Sequence, residues 1–473
     1  PRPPEIPTWD SLTPAQQAFS ARTMEVAAAQ LAFQDAQIGR VLDELQRIGA
    51  LDHTLVALVL GDNGASAEVG PAGSINELRA INGHSQHSEE SQAWMQANTD
   101  KLGGPETYES YPAGFALAMN TPLRWTKQFT SMLGGIRNGM VLSWPGHVAH
   151  PGSICGQFSH LVDVVPTILE AAHLPAPRSV NGVAQKPLDG ESLAPSLAAC
   201  DAGRPRTQYF EMVGKVGFYH DGWFLSGEDG RTSWQDVPPA GDRPPVRWSL
   251  YDLTRDWSQS TDLAAKNPAK LAEMQALWER TAHVNNVYPL DHRFGGARSG
   301  AAALFADPRK HFDFWGKDVS IPAMGRPILF ARPYTLNAEL DLRPDASGAV
   351  IASGSRFAGW SLWLDHGRPV LTVARSTDPA EIWTARAAAA LPQGPARLTL
   401  RYQPLGFGKG ARITVSGGGA PLLSLDVPTA ILIPAGGGET TDIGRDLGVP
   451  VTAYPVPQGA IEGEVRHVWV DYD

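Results

Sequence analysis

Thr54-Leu55-Val56-Ala57-Leu58-Val59-Leu60 is an uncharged run rich in Leu and Val, and Gly61-Asp62-Asn63-Gly64 ends it. Such a run predicts a strand buried on both faces, as in a parallel sheet with helices packed above and below. That restricts this part of the chain to the open α/β class, whose ligands collect in the crevice beyond the carboxyl ends of the strands. Asp62 and Asn63 stand at that edge. A carboxylate beside an amide carbonyl offers two adjacent oxygen donors to a hard cation such as Ca²⁺ or Mg²⁺. The same Asp-Asn-Gly is also an ordinary turn, because these residues favour turns wherever they occur.

The residues on either side fit an α/β unit. Thr13 can cap a helix, Pro14 suits its first position, and Gln16 can reach back to close a capping box. Met24, Ala27, Leu31, Ile38, Val41, Leu42, Leu45 and Ile48 then recur mostly three, four or seven apart, predicting one apolar stripe that Gly49 terminates. Residues 65–120 are polar and weakly periodic apart from a helical candidate at 89–99, which reads as a functional loop or lid. His84 and His87 lie in it, either as solvated loop histidines or near the metal turn. Next comes a cationic stretch with Arg124 and Lys127, then Gly134-Gly135 and Arg137, then a second apolar run at 140–145. Lys127 suits an anionic substrate group as a point charge. The three cations read equally well as a solvated basic face.

Further along, residues 158–172 predict a helix whose regular part starts at Pro166, with His160 and Asp163 as a structural pair on it. Strands follow at 207–223 and 246–253. A last helix is predicted over 268–284, striped by Leu271, Met274, Leu277, Trp278 and Thr281. From about 321 the pattern changes to alternation, as in Trp360-Ser361-Leu362-Trp363-Leu364 and Arg412-Ile413-Thr414-Val415. Short strands joined by Gly-rich turns imply a β-sandwich. Trp360 and Trp363 are an odd number apart, so one is expected in the core and the other exposed or at an interface. The organisation expected is residues 1–293, a linker at 294–320, and a sandwich at 321–473.

Several functional classes drop out on composition. With a formal net charge of -10 over 473 residues, a basic nucleic-acid surface is not expected. No apolar run approaches the ~18 residues that would span a bilayer. Only Cys155 and Cys200 are present, so a disulfide framework is excluded while a single bridge stays open. The opening Pro1-Arg2-Pro3-Pro4-Glu5-Ile6-Pro7 is no signal peptide and reads as the interior of a longer protein.

Taken together, Gly61-Asp62-Asn63-Gly64-Ala65-Ser66, Thr121-Pro122-x-x-Trp125-x-Lys127, Gly134-Gly135-x-Arg137-Asn138 and Asp163-Val164-Val165-Pro166-Thr167-Ile168-Leu169-Glu170 resemble a formylglycine-dependent arylsulfatase, a type I sulfatase of the alkaline-phosphatase-like superfamily. The resemblance runs to about residue 293, with Tyr251-Asp252-Leu253 through Pro289-Leu290-Asp291 similar to the end of that catalytic domain. The terminal sandwich resembles the lectin- or laminin-G-like domain that some such sulfatases append. The fold this implies is a partial sulfatase domain, a mixed sheet flanked by helices, followed by an all-β sandwich.

By position, the resemblance makes Asp62 and Asn63 two of the Ca²⁺ ligands and Lys127 a contact to the sulfate oxygens. Family chemistry uses a formylglycine made from Cys or Ser in Cys-x-Pro-x-Arg, whose hydrated aldehyde attacks sulfur. This sequence has no such motif. Cys155 precedes Gly156-Gln157-Phe158, and Cys200-Asp201-Ala202-Gly203-Arg204 has Ala where Pro belongs. The resemblance therefore implies the C-terminal portion of a sulfatase, inactive alone, with the nucleophile and remaining metal ligands in a segment preceding Pro1. Its substrate would be a small-molecule or glycan sulfate ester, and its address leans periplasmic or extracellular. A phosphate or phosphonate ester hydrolase of the same superfamily and a non-catalytic glycan-binding module are the alternatives. The oligomeric state has no signal in the sequence.

Overall fold

The computed structural model describes residues 2–82, 88–200, 202, 205–235, 245–292, 309–322, 325–327, 329, 332–406, 409–429 and 439–473. They divide between two units. One comprises Pro1–Thr8, Met24–Pro71 and Tyr111–Phe294; the other comprises Trp9–Thr23, Ala72–Ser110 and Gly295–Asp473. His84 and His87 lie outside the described residues.

The helix expected behind Thr13 runs Pro14–Arg47. Its capping box is formed: Gln16 N donates to Thr13 Oγ1 at 3.3 Å, and Thr13 N donates to Gln16 Oε1 at 2.9 Å. Its apolar stripe, however, is left partly uncovered, with Leu31, Val41 and Ile48 all more than half exposed. Periodicity specifies which side chains share a face but not what covers that face.

The strand expected at 54–60 forms over Val56–Val59, in a different setting. It pairs antiparallel with Met140–Ser143, Val56 opposite Ser143 and Val59 opposite Met140. Both strands alternate half-buried and exposed residues, so the expected burial on both faces is corrected. Each has a single neighbour among the described residues, and only one side is covered.

The rest of the first unit is built on a second, antiparallel sheet of Thr207–Met212, Lys215–His220, Trp223–Glu228 and Arg247–Asp252, in that order. The helix Pro268–Val284 packs on it. Met274, Trp278 and Ala282, four residues apart, form one stripe that meets Val216, Phe218, Leu225 and Leu250. Trp278 also donates from Nε1 to the Tyr288 hydroxyl at 2.9 Å, so its one polar atom is satisfied on burial. Asp163, fully buried, accepts from His160 N and Glu191 N and pairs with Arg206 at 2.8 Å. That fastens the start of the helix Val164–Ala171 and gives His160 and Asp163 structural work. Cys155 and Cys200 form a disulfide.

In the second unit two six-stranded antiparallel sheets make the sandwich. One runs Val319–Pro322, Thr440–Ile443, Gly348–Ser355, Ala358–Asp365, Arg368–Ala374, Ile382–Arg386 across its width. The other runs Ala420–Thr429, Lys409–Gly417, Gly394–Pro404, Tyr334–Leu342, Gly463–Tyr472, His311–Trp315. Their facing sides supply a core that includes Leu336, Leu340, Val350, Leu362, Leu400 and Val468, and Leu78 from the polar stretch joins it. Of the stretch expected as a linker, residues 294–308 lie outside the described residues, and His311–Trp315 and the start of Val319–Pro322 are strands of the sandwich.

Both tryptophans of the Ala358–Asp365 strand are buried, at 7% and 6% exposure, which corrects the expectation that one faces solvent. Trp360 enters the inter-sheet core. Trp363, on the opposite side, is covered by Tyr454, whose ring meets it edge-on at 5.6 Å. A loop folded over the outside of this sheet has made a second small core there. Among the described residues, no helix is long and apolar enough to cross a membrane.

Candidate functional site

The turn after Val56–Val59 is fixed from below by a close approach of two backbones. Gly64 N donates to the Gly135 carbonyl at 3.0 Å, and Leu60 N donates to the Gly139 carbonyl at 3.1 Å. A Cβ on Gly64 would stand 1.7 Å from the Gly134 carbonyl oxygen, and one on Gly134 would stand 2.2 Å from that of Arg124. Glycine is required on both sides of this crossing because no side chain fits between the two chains.

Asn120 bridges the crossing. Its Oδ1 accepts from Ala65 N at 3.2 Å, and its Nδ2 donates to the carbonyls of Trp125 and Gly134, both at 2.9 Å. The cationic stretch is thereby bound to the turn, and Lys127 N donates to the Ala65 carbonyl at 3.0 Å. Trp125 and Gln128, on either side of Lys127, take positive φ of 66° and 75°. A non-glycine residue held there costs on the order of 1 kcal/mol or more, and persists only where neighbouring contacts enforce it. The structure thus brings the Lys127 backbone into the same corner as the Asp62-Asn63 turn.

Asp62 is exposed and Asn63 half-buried. Asn63 Nδ2 donates to the Gly64 carbonyl at 2.9 Å, so its Oδ1 is the end of the amide not used in that bond. A carboxylate and an amide oxygen fit a hard cation in kind but not in number, since Ca²⁺ takes roughly six to eight oxygens. Among the described residues, no group of three or more His, Cys, Asp or Glu is arranged to hold a metal ion. The fit is partial.

Lys127 has a partner that motif reading does not reveal. Its Nζ lies 2.7 Å from Glu68 Oε2, which also accepts from Ser66 Oγ at 3.0 Å; Glu68 Oε1 accepts from Gln128 Nε2 at 2.6 Å. Burial pushes the Glu68 carboxyl up, but the bonds from Lys127, Gln128 and Ser66 and the lysine charge outweigh it and hold it below its ordinary value. Tyr111 closes the group by accepting from Ser66 N at 3.2 Å; burial raises its phenol against that bond and the lysine charge. An acid a few residues beyond a turn carries no sequence signal, so Glu68 emerges only from the fold.

The other two cations are engaged elsewhere. Arg124 Nη1 donates to the Gln259 carbonyl at 3.1 Å, and the Arg137 guanidinium lies 5.5 Å from the centre of the Trp257 ring. Of the three, Lys127 is the one joined to the turn. Cys200 is bonded to Cys155 and is not a free thiol, which agrees with reading its Cys-x-x-x-Arg spacing as coincidence.

Residues 4–174 match the Sulfatase family model. An uncharacterized sulfatase of Schizosaccharomyces pombe is 32% identical over 277 residues, 57% of this chain and 45% of its own. An arylsulfatase of Klebsiella aerogenes is 30% identical over 208 residues, 44% of this chain and 40% of its own. The aligned stretches span less than half the length of either relative. A crystal structure of Ps i-CgsB in complex with k-i-k-neocarrahexaose aligns at 18% identity over 58% of this chain and 46% of its own, with a TM-score of 0.36. By the family match and the two sulfatase relatives, residues 4–174 are similar to the sulfatases.

Proposed function

We propose that the chain is part of an arylsulfatase-type sulfuric ester hydrolase, in which the corner around Asp62, Asn63 and Lys127 receives the sulfate group. The observation that carries this reading is the Lys127 N to Ala65 carbonyl bond, which ties the sequence-distant cation to the metal-type turn. Asp62 and Asn63 would hold part of the shell of a Ca²⁺ ion, with Mg²⁺ the alternative. That ion, when bound, supplies charge neutralisation at a sulfate oxygen.

The residues of this chain do the rest of the positioning. The Lys127 ammonium is a compact charge suited to anionic oxygens, and Glu68, itself bonded by Gln128, holds it in place. The ammonium has three N–H donors, so it takes a sulfate oxygen beside its single Glu68 contact, and Gln128 and Ser66 also satisfy that carboxylate.

In this proposal the nucleophile and further metal ligands, a formylglycine among them, come from sequence outside these 473 residues, and the chain alone does not turn over. The length of the relatives supports it, as do the exposed Val59, Leu60, Val141, Val165 and Ile168 of the first unit, side chains that a larger domain would bury. The test joins the chain to the sequence encoded upstream of Pro1 and assays 4-nitrophenyl sulfate and 4-nitrophenyl phosphate with Ca²⁺. Sulfate hydrolysis that falls about a hundredfold or more in Lys127→Ala supports the reading. Hydrolysis of phosphate alone transfers it to the phosphoesterases, and turnover of neither ester by a folded protein removes it.

A further inference from the structure

We propose that the outer face of the sheet ending in His311–Trp315 is a saccharide-binding platform, with the Trp315 ring receiving the C–H face of a pyranose. The edge strand alternates cleanly. Phe312 and Phe314 point into the sandwich core, leaving His311, Asp313 and Trp315 on the outer side. Trp315 is 71% exposed, so the core makes no use of it.

What its neighbours do is hold its plane. Cross-strand pairing sets His467 opposite Trp315, Trp469 opposite Asp313 and Asp471 opposite His311. Trp315 stacks on His467 at 3.9 Å and 6°, His467 stacks on Trp469 at 4.6 Å, and the Arg397 guanidinium lies 4.8 Å from the Trp469 centroid. The pile is locked from the side: Asp313 bridges His467 Nε2 and His311 Nε2, each at 2.6 Å, and His311 Nδ1 lies 2.7 Å from Asp471. Trp315 is thus a rigid aromatic surface at one end of an ordered stack, and a ligand that continues the stack meets little ordering cost there.

The chemistry around the ring selects the ligand class. A pyranose has an apolar C–H face, whose partial positive edge suits the negative face of an indole, and a rim of hydroxyls. The Asp313 carboxylate, two residues from Trp315 on the same face, accepts from hydroxyls of a sugar on the ring, and Asp471 lies farther along that face for a neighbouring sugar. A nucleic-acid base would stack as well, but its phosphates would meet Asp313, Asp471 and Glu339 on a chain of net charge -10. An uncharged or sparsely sulfated saccharide fits both surfaces.

This proposal does not rest on the sulfatase reading, because the intact 473-residue chain is titrated and no turnover is measured. Cellohexaose, mannohexaose and a chondroitin sulfate hexasaccharide are titrated by calorimetry, with tryptophan emission as a second readout. At least one is expected to bind. Trp315→Ala should weaken it about tenfold or more, Asp313→Asn should weaken it less, and Trp9→Ala should leave it unchanged. Binding of the neutral or of the sulfated member both support the platform and tell whether a sulfate is engaged. Absence of binding by all three overturns it, as does binding insensitive to both Trp315→Ala and Asp313→Asn. A loss of self-association in Trp315→Ala without saccharide binding also overturns it, assigning the face to a second copy of the chain.

Discussion

The Lys127 ammonium is held 2.7 Å from a Glu68 oxygen, so the candidate sulfate contact comes with a carboxylate already in place. Glu68 is held below its ordinary value of 4.5. A carboxyl so lowered contributes stability that is present above the unfolded pKa and lost as pH falls through the folded one. Lys127 stays 38% exposed, and water limits what the pair contributes. Glu68→Gln is therefore expected to cost about 1 kcal/mol near neutral pH. The difference should close once pH drops well under 4.5. Urea titrations of both proteins at the two extremes check this, and a difference that ignores pH contradicts it.

Gly64 makes a sharper prediction for the same corner. Gly64→Ala places a methyl 1.7 Å from the Gly134 carbonyl oxygen, which belongs to backbone and cannot turn away. The expected loss is about 3 kcal/mol or more, at the upper end for overpacking. Gly39, inside the helix Pro14–Arg47, has nothing within 4 Å of the same added atom. Gly39→Ala should instead stabilise by about 0.5–1 kcal/mol. Chemical denaturation of the two variants side by side would show opposite signs; equal effects would mean the crossing is looser than described.

What the sequence disclosed follows from how far each partner lies along the chain. The Thr13 to Gln16 capping box and the stripe of Leu271, Met274, Leu277 and Trp278 depend on neighbours within a few residues or on one face, and both formed, with Ala282 in the buried set where Thr281 was expected. Burial of 54–60 on both faces depended on additional strands, and among the described residues there is only Met140–Ser143. The burial of Trp363 depends on Tyr454, and the seating of Lys127 on Glu68, neither of which local pattern can supply. Family motifs singled out the turn and the lysine as candidates, because their order along the chain carries information that periodicity lacks.

The Cys155–Cys200 bridge closes a loop over a sequence separation of 45. Chain-entropy arguments put such a closure at about 4 kcal/mol, an upper figure when native or unfolded structure intervenes. Reduction, or the Cys155→Ser/Cys200→Ser pair, should lower the stability of the first unit by about 2–4 kcal/mol. Peptide mapping without reductant should recover the two cysteines as one linked species. An aldehyde at position 200 would contradict the structure and reopen that residue as a nucleophile.

The sandwich carries its own pH dependence. Burial, with Asp442 adding to it, pushes the Asp446 carboxyl from 3.8 up to about 6, against bonds from Tyr454 and Val451 N and the charge of Arg356. Burial again, with Asp446 and Asp442 nearby, pushes Glu439 from 4.5 up to about 7. Folding raises both values, so their contribution is complete below the unfolded pKa and is lost as pH climbs through the folded one. Asp446 is only 2% exposed, and its shift corresponds to a contribution on the order of a few kcal/mol. The second unit should therefore lose stability between about pH 4 and pH 7, where exposed carboxylates would leave it unchanged. Asp446→Asn and Glu439→Gln should each flatten that slope, and the pair together should nearly remove it. Hydrogen exchange of the amides at 440–451, followed across this range, reads the effect locally and separates it from the first unit. Protection that rises with pH, after correction for the intrinsic exchange rate, would mean that these carboxylates are ionised and satisfied in the fold.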